Sequence, residues 1–228
     1  MIDFAAQRKN MVESQVRPSD VTDRRIIRAM LDVPRELFLP APLRSIAYMD
    51  DAIRLRSATP FTRLGDHNPR GLMAPRTFAK LLQLANLEAT DVVLDVGCGT
   101  GYGAAVMAKI AKVVIALECT TDLAADASAT LAAVAAGNVS VVQGALAGGY
   151  PSESPYDVIL LEGAVDKPPR ALLDQLKDGG RLVAVVDAGS VGKATVWRRM
   201  GDTFDGRAMF DASAPPLPGF ERAAVFEF

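Results

Sequence analysis

Histidine is almost absent from this chain of 228 residues, with His67 standing alone. That speaks against a zinc site built on histidines and against a Ser-His-Asp triad, and no metal site is expected. Cysteine is nearly as scarce. Cys98 and Cys119 are the only two, too few for a disulfide framework. No uncharged apolar run is long enough to cross a bilayer. No signal-like segment precedes the fold: the opening "MIDFAAQRKNMVESQV" carries charges among its apolar positions and reads as an amphipathic helix. A cytoplasmic protein is expected. Charge of one sign is lacking too. The formal net charge is −2 with no strong basic block, which argues against nucleic acid or an anionic membrane as partner. Neither internal repeats nor low-complexity segments occur.

What is present is apolar sequence with a regular rhythm. Half the residues are hydrophobic, and the length suits one domain spanning residues 1–228. A monomer is favoured. Residues 1–74 read as a helical and loop segment, and residues 75–228 as an α/β core. In the first part, "DVTDRRIIRAMLDV" spaces Ile26, Ile27, Met30 and Leu31 as a helix and stops before Pro34. "RSATPFTRLGDHNPRGLMAP" is rich in Gly, Pro and Arg, has no period, and reads as a loop facing the substrate. "PRTFAKLLQLANL" gives a helix with Pro75 in its first turn.

From there strands and helices alternate. "DVVLDV", "KVVIALE", "VSVVQG", "YDVILLEG" and "RLVAVVD" read as strands. "GYGAAVMAKIA", "TDLAADASATLAAVAAG" (ending at Gly137) and "PPRALLDQLKDGG" read as helices. That alternation predicts an open parallel sheet covered on both faces. "KATVWRRM" and "RAAVFEF" read as two strands joined by a Pro-rich loop, an antiparallel hairpin at the sheet edge, with Phe226 and Phe228 alternating with Glu227 so that one face is buried.

The densest signal is "VVLDVGCGTGYGAAV". Gly97, Gly99 and Gly101 follow the first core strand and open a helix. Glycines there let a backbone turn sharply and approach a ligand, and a helix start offers free N–H groups. Three readings compete: a structural turn, a dinucleotide site, and a site for S-adenosylmethionine. Gly99, Gly101 and Ala104 match G-x-G-x-x-A, but Asp95 and Gly97 precede that match, and a pyrophosphate does not favour an acid so close. S-adenosylmethionine has no phosphate and carries an ammonium and a sulfonium, so Asp95 suits its charge. Glu118 ends the second strand, where an acid accepts ribose hydroxyls; this serves either nucleoside ligand, and a solvated acid is the plain alternative. Cys98 and Cys119 flank the site and read as space-fillers, since nothing in the sequence around them lowers a thiol pKa. "GSVGKAT" mimics a phosphate loop but has the wrong spacing, with Ala194 where a hydroxyl must hold magnesium.

Over nearly its whole length the chain resembles the protein-L-isoaspartate O-methyltransferases. "RKNMVESQV", "DRRIIRAMLDVPRELFLP" and "AYMDDAI" resemble that family's N-terminal segment, "VVLDVGCGTGYGAAVMA" its cofactor loop, and "YDVILLEGA" with "LLDQLKDGGRLVAVV" its later strands. The glycine loop is shared by many methyltransferases; the N-terminal segment is more specific. The resemblance implies a Rossmann-like seven-stranded sheet, mostly parallel with an antiparallel C-terminal edge, plus N-terminal helices. It also implies S-adenosylmethionine as methyl donor, S-adenosylhomocysteine as product, and a protein or peptide carboxylate as acceptor, a small molecule being the alternative. By that likeness the cofactor would be held by Asp95, Gly97, Cys98, Gly99, Thr100, Gly101, Glu118, Cys119, Ala145 and Leu146.

The motif at the acceptor side departs from the family. Family members carry Gln-Thr-Ile-Ser, one more residue, then Pro, with the serine at the substrate carboxylate. Aligned on Pro75, Met73 stands in the serine's place and has no hydroxyl to donate. Ala145 stands where the family has an Asp that contacts the adenine amino group. Glu162 stands where the family has a small or neutral residue. Glu162 would repel a carboxylate acceptor or act as base for an amine or hydroxyl. Alternatively it pairs with Arg70 or Arg76 and only shapes the pocket. Arg63, Arg70 and Arg76 could instead clamp an anionic substrate. Met73 and Glu162 are thus the candidate catalytic positions. A different acceptor, or a relative that binds the cofactor without catalysis, stays open beside the main reading, while a nicotinamide dehydrogenase lacks a fitting phosphate loop.

Overall fold

The computed structural model describes residues 2–55, 70–187, 189 and 191–220. Helix α1 (Phe4–Met11) starts where the Asp3 carboxylate accepts from the Ala6 N–H at 2.9 Å. Its path continues through a π-helical turn at Val12–Val16 and a 3-10 turn at Arg17–Ser19. Helix α2 (Arg24–Asp32) is capped by Asp23 and ends as Val33 turns extended ahead of Pro34. Two-residue strands β1 (Ile53–Arg54) and β2 (Gly71–Leu72) pair antiparallel, so the end of the segment read as a loop is a strand. Residues 56–69 of that segment, with Arg63 and His67, lie outside the described residues. Helix α3 (Pro75–Ala85) begins on its proline and stops at Asn86 in the left-handed region.

The core then alternates: β3 (Val92–Val96), α4 (Tyr102–Met107), β4 (Val113–Glu118), α5 (Thr121–Ala133), β5 (Val139–Gln143), β6 (Tyr156–Val165), α6 (Arg170–Leu173), β7 (Leu176–Val186), β8 (Lys193–Met200) and β9 (Thr203–Asp211). The seven-stranded sheet runs β5-β4-β3-β6-β7-β8-β9. Its first five strands are parallel, and β8 and β9 add antiparallel at the edge. The fold is therefore the Rossmann-like methyltransferase arrangement expected. The apolar strand residues alternate between two layers. Val93, Val158 and Val183 pack with Met11, Ile26, Phe38 and Leu81 under the N-terminal helices. Leu94, Ile159 and Leu182 pack with Leu172 and Leu176 on the other face.

Three boundaries differ from the sequence reading. Helix α5 ends at Ala133, short of Gly137, with Ala135 at φ 55°. The helix expected over "PPRALLDQLKDGG" is only the turn α6. Gln175 then ties the chain back by donating to the Gly148 and Ala171 carbonyls, and Leu176 pairs with Tyr156 as β7 begins. The partner of β8 is "TFDGRAMFD", reached by a turn at Gly201 and Asp202. This strand is polar and mostly exposed because it lies at the sheet edge, so it has no apolar period to betray it. The Pro-rich loop follows the hairpin instead of joining it. "RAAVFEF", with Phe226 and Phe228, lies outside the described residues.

Candidate functional site

Chain order reverses at β3, whose neighbours are β4 and β6, and open α/β sheets bind ligands at the carboxyl ends of strands flanking such a point. The proposed site residues cluster there. After β3 the backbone takes positive φ at Gly97 (80°), Gly99 (58°) and Gly101 (91°), a path that side chains with a Cβ resist. The Gly97 and Cys98 N–H groups donate to the Leu117 carbonyl at 2.8 and 3.1 Å, which ties the loop to the end of β4. Residues 97–103 are all buried.

Glu118, wholly buried at the end of β4, is densely bound. Its Oε1 accepts from the N–H groups of Cys119 (2.9 Å) and Thr120 (3.1 Å). Its Oε2 accepts from the Gly99 N–H (2.9 Å) and from Arg70 Nη2 (2.5 Å). Arg70 is itself only 2% exposed, so this is a buried ion pair. Arg70 is thus paired with Glu118, not with Glu162, and Arg76 instead meets Asp50 at 3.4 Å on the surface. The Arg70 guanidinium also covers the loop: a Cβ built on Gly97 would lie 3.1 Å from Nη2. The same Cβ would lie 2.7 Å from Leu217 Cδ2, and one on Gly99 would lie 2.9 Å from Leu55 Cδ1.

Asp95, near the end of β3, has the opposite surroundings. It is fully buried, and neither carboxylate oxygen meets a hydrogen-bond donor among the described residues. Its neighbour is the equally buried Glu162 of β6, whose carboxyl packs on α4: a Cβ on Gly103 would lie 1.5 Å from Oε1. Two ionised carboxylates cannot donate to one another. A hydrogen bond between them needs one proton on the pair. Burial pushes the Asp95 carboxyl up to about 8; the hydrogen bond with Glu162 and the Arg70 charge pull it down, and the Glu118 charge adds to the rise. Glu162 is raised well above the usual range, by burial first and then by the Asp95 charge. That rise weakens the repulsion expected of Glu162 toward a carboxylate.

Of the other expected residues, Ala145 and Leu146 lie just beyond β5, beside Glu118, with the Gly144 N–H donating to the Glu118 carbonyl at 3.1 Å. The Thr100 hydroxyl is turned to the Phe38 carbonyl, 2.6 Å away, and so braces the loop against the N-terminal layer. Burial, with the charges of Asp95 and Glu118, pushes the Cys98 thiol up, and burial raises Cys119, so neither is an activated nucleophile. Met73, just before α3, is buried in the N-terminal core, and its carbonyl accepts from Arg35 Nη2 at 2.8 Å.

The sequence reading missed Arg35 and Leu217. Arg35 is 1% exposed, donates to the Ala47 and Met73 carbonyls and lies over the Tyr102 ring, 4.6 Å from its centre. Nothing local in "PRELF" separates it from a surface arginine. Leu217 sits in a Pro-rich stretch that carries no period.

The donor set suits a cationic nucleoside in kind: an acid with free oxygens, an acid at the next strand end and a glycine cradle between them. The space above the cradle is held by Arg70, Leu55 and Leu217.

Comparison with known proteins converges with this geometry. The model of the family described as protein-L-isoaspartate(D-aspartate) O-methyltransferase matches residues 6–210. A protein-L-isoaspartate O-methyltransferase of Synechococcus sp. (strain JA-2-3B'a(2-13)) is 38% identical over 198 residues, 85% of this chain and 77% of that one. Another, of Methanoregula boonei, is 35% identical over 213 residues, 93% of each chain. A solved protein-L-isoaspartate O-methyltransferase superposes with TM-score 0.79 at 26% identity, covering 93% of this chain and 66% of its own. A chain from Plasmodium falciparum solved with S-adenosyl-L-homocysteine shares the fold, with TM-score 0.74 at 18% identity and coverage of 95% and 99%. The family match over residues 6–210 and these identities show that the chain belongs to the protein-L-isoaspartate(D-aspartate) O-methyltransferase family.

Proposed function

We propose that the protein is an S-adenosylmethionine-dependent methyltransferase of the isoaspartyl type, with a carboxyl group of a protein or peptide as its acceptor. The observation that carries the reading is the cradle of Gly97, Gly99 and Gly101 between two buried acids, in a chain of this family. Asp95 would face the ammonium end of the cofactor, Glu118 its ribose hydroxyls, and Ala145 and Leu146 the base. The bound cofactor supplies a methyl group already activated by its sulfonium. The chain's own work is then to hold the acceptor in line and keep water out. A carboxylate acceptor is ionised near neutral pH and needs no general base. Among the described residues no helix is long and apolar enough to cross a membrane.

By alignment Met73 takes the place of the family's acceptor-side serine and has no hydroxyl, so turnover of isoaspartyl peptides is expected to be slow. One unmade buried hydrogen bond costs about 1–3 kcal/mol, roughly one to two decades in rate if it acts at the transition state. The assay is transfer of a labelled methyl group to an isoaspartyl peptide, with its aspartyl isomer as control. The double variant Met73→Ser, Glu162→Gly should regain part of the loss. Turnover by the unmodified chain equal to that of a serine-bearing relative overturns the role given to Met73. A second reading, a family member that binds without catalysis, is favoured by the side chains standing over the cradle. Donor turnover with any acceptor separates the two.

A further inference from the structure

We propose that this chain keeps its own cofactor cradle shut, with Arg70 and Leu217 as two parts of one plug that a nucleoside must displace to bind. The inference rests on the cofactor reading above and adds to it a competition between the ligand and the chain itself.

Arg70 is the first part. It is the residue just before β2, and its carbonyl accepts from the Leu55 N–H at 2.8 Å. The β1–β2 pair holds that backbone closely; a Cβ on Gly71 would lie 2.8 Å from the Ile53 carbonyl oxygen. From this anchor the guanidinium reaches between Gly97 and Glu118. A carboxylate has about four lone-pair sites. On Glu118 those sites meet the N–H groups of Gly99, Cys119 and Thr120 and Arg70 Nη2. Ribose hydroxyls can reach this acid only where Arg70 leaves it. The bond is also incomplete from the arginine's side, because Arg70 Nε is buried with no acceptor among the described residues. Among the described residues Arg70 is thus held by one strong contact, which a ligand that satisfies Glu118 as well could replace.

Leu217 is the second part, and it comes from the far end of the chain. The tail after β9 folds back over the sheet. The Ala164 N–H donates to the Pro215 carbonyl at 2.7 Å, and the Leu217 N–H to the Ala164 carbonyl at 2.8 Å. These bonds aim the Leu217 side chain into the crevice between β3 and β6. Built Cβ atoms on Gly97 and Gly163 would each lie 2.7 Å from it. That crevice is the switch point of the sheet, where this architecture receives its ligands. Leu217 is 3% exposed there, a large apolar side chain in place of a ligand.

Affinity for a ligand falls by the fraction of molecules whose site is open, so weakening the plug should tighten binding. The probe is S-adenosylhomocysteine, titrated by calorimetry into the full chain and into Arg70→Gln, Leu217→Ala and the double variant. Thermal melting with and without the probe is the second readout. Arg70→Gln keeps a neutral donor near Glu118, and Leu217→Ala leaves the ion pair untouched, so a folding failure in one leaves the other to decide. Weak binding by the unmodified chain, with affinity raised about tenfold or more in either folded single variant and a larger melting shift with the probe, is the expected result. Tight binding by the unmodified chain that neither variant improves overturns the plug and leaves the cofactor reading intact. Binding by none of the folded variants overturns both.

Discussion

Asp95 and Glu118 end neighbouring parallel strands, and both are wholly buried, yet they live by different chemistry. Glu118 gathers three backbone N–H groups and a guanidinium, enough to keep a charge in the interior. Asp95 gathers none among the described residues and faces a second carboxyl, and burial raises its pKa to about 8. Burial alone therefore does not decide the state of an acid; the donors aimed at it do. Two acids that would be partners of one ligand are here a closed ion pair and an open carboxyl pair, side by side.

The largest effect should come from the closed end. Glu118→Ala strips a buried arginine of its partner and frees three backbone N–H groups, that of Gly99 buried, a loss of about 3–5 kcal/mol in urea unfolding. A loss below about 1 kcal/mol would mean that Glu118 is no more committed than Asp95, and the contrast would break.

A middle effect tests how closely the open end is packed. Gly103→Ala puts a methyl group where the Glu162 carboxyl lies, and overpacking of this kind costs about 1–3 kcal/mol. Glu162→Gly should cancel most of that cost in a double-mutant cycle. Additive losses would show that the carboxyl moves aside freely.

A third test is one of pH. A carboxyl that binds its proton more tightly folded than unfolded stabilises most below its unfolded value. That contribution is lost as pH rises through the folded value, here about 8 for Asp95. The melting temperature should fall between roughly pH 4 and pH 8 by more in the natural chain than in Asp95→Asn. The groups that bear on Asp95 are Glu162, Glu118, Arg70 and Cys98. An unchanged pH profile in Asp95→Asn would show that Asp95 binds no extra proton in the folded chain.

Much of the fold is legible in the residues. Strands β3, β4, β6 and the second half of β7 are runs rich in Val, Ile and Leu, buried on both faces as a parallel sheet under helices requires. Strand β9 is not legible, because an edge strand facing solvent keeps no apolar period and is specified by its ladder with β8. At the site, the glycines and the acids at the strand ends announce themselves, since only a turn of positive φ needs glycine at 97, 99 and 101 together. Arg35 and Arg70 do not. A buried arginine and a solvated one are spelled the same way, and only the partners tell them apart.

The sequence by itself determined the alternation of strands and helices, the glycine turn after β3 and the acids that flank it, because periodicity, backbone sterics and charge act over a few residues. Only the tertiary structure decided what stands over that turn. Arg70 and Leu217 are 147 residues apart in the chain, and they meet at Gly97 because the β1–β2 pair turns one inward while the tail's bonds to Ala164 aim the other. Contacts between such distant segments are set by the sheet that brings them together, and no local pattern encodes them.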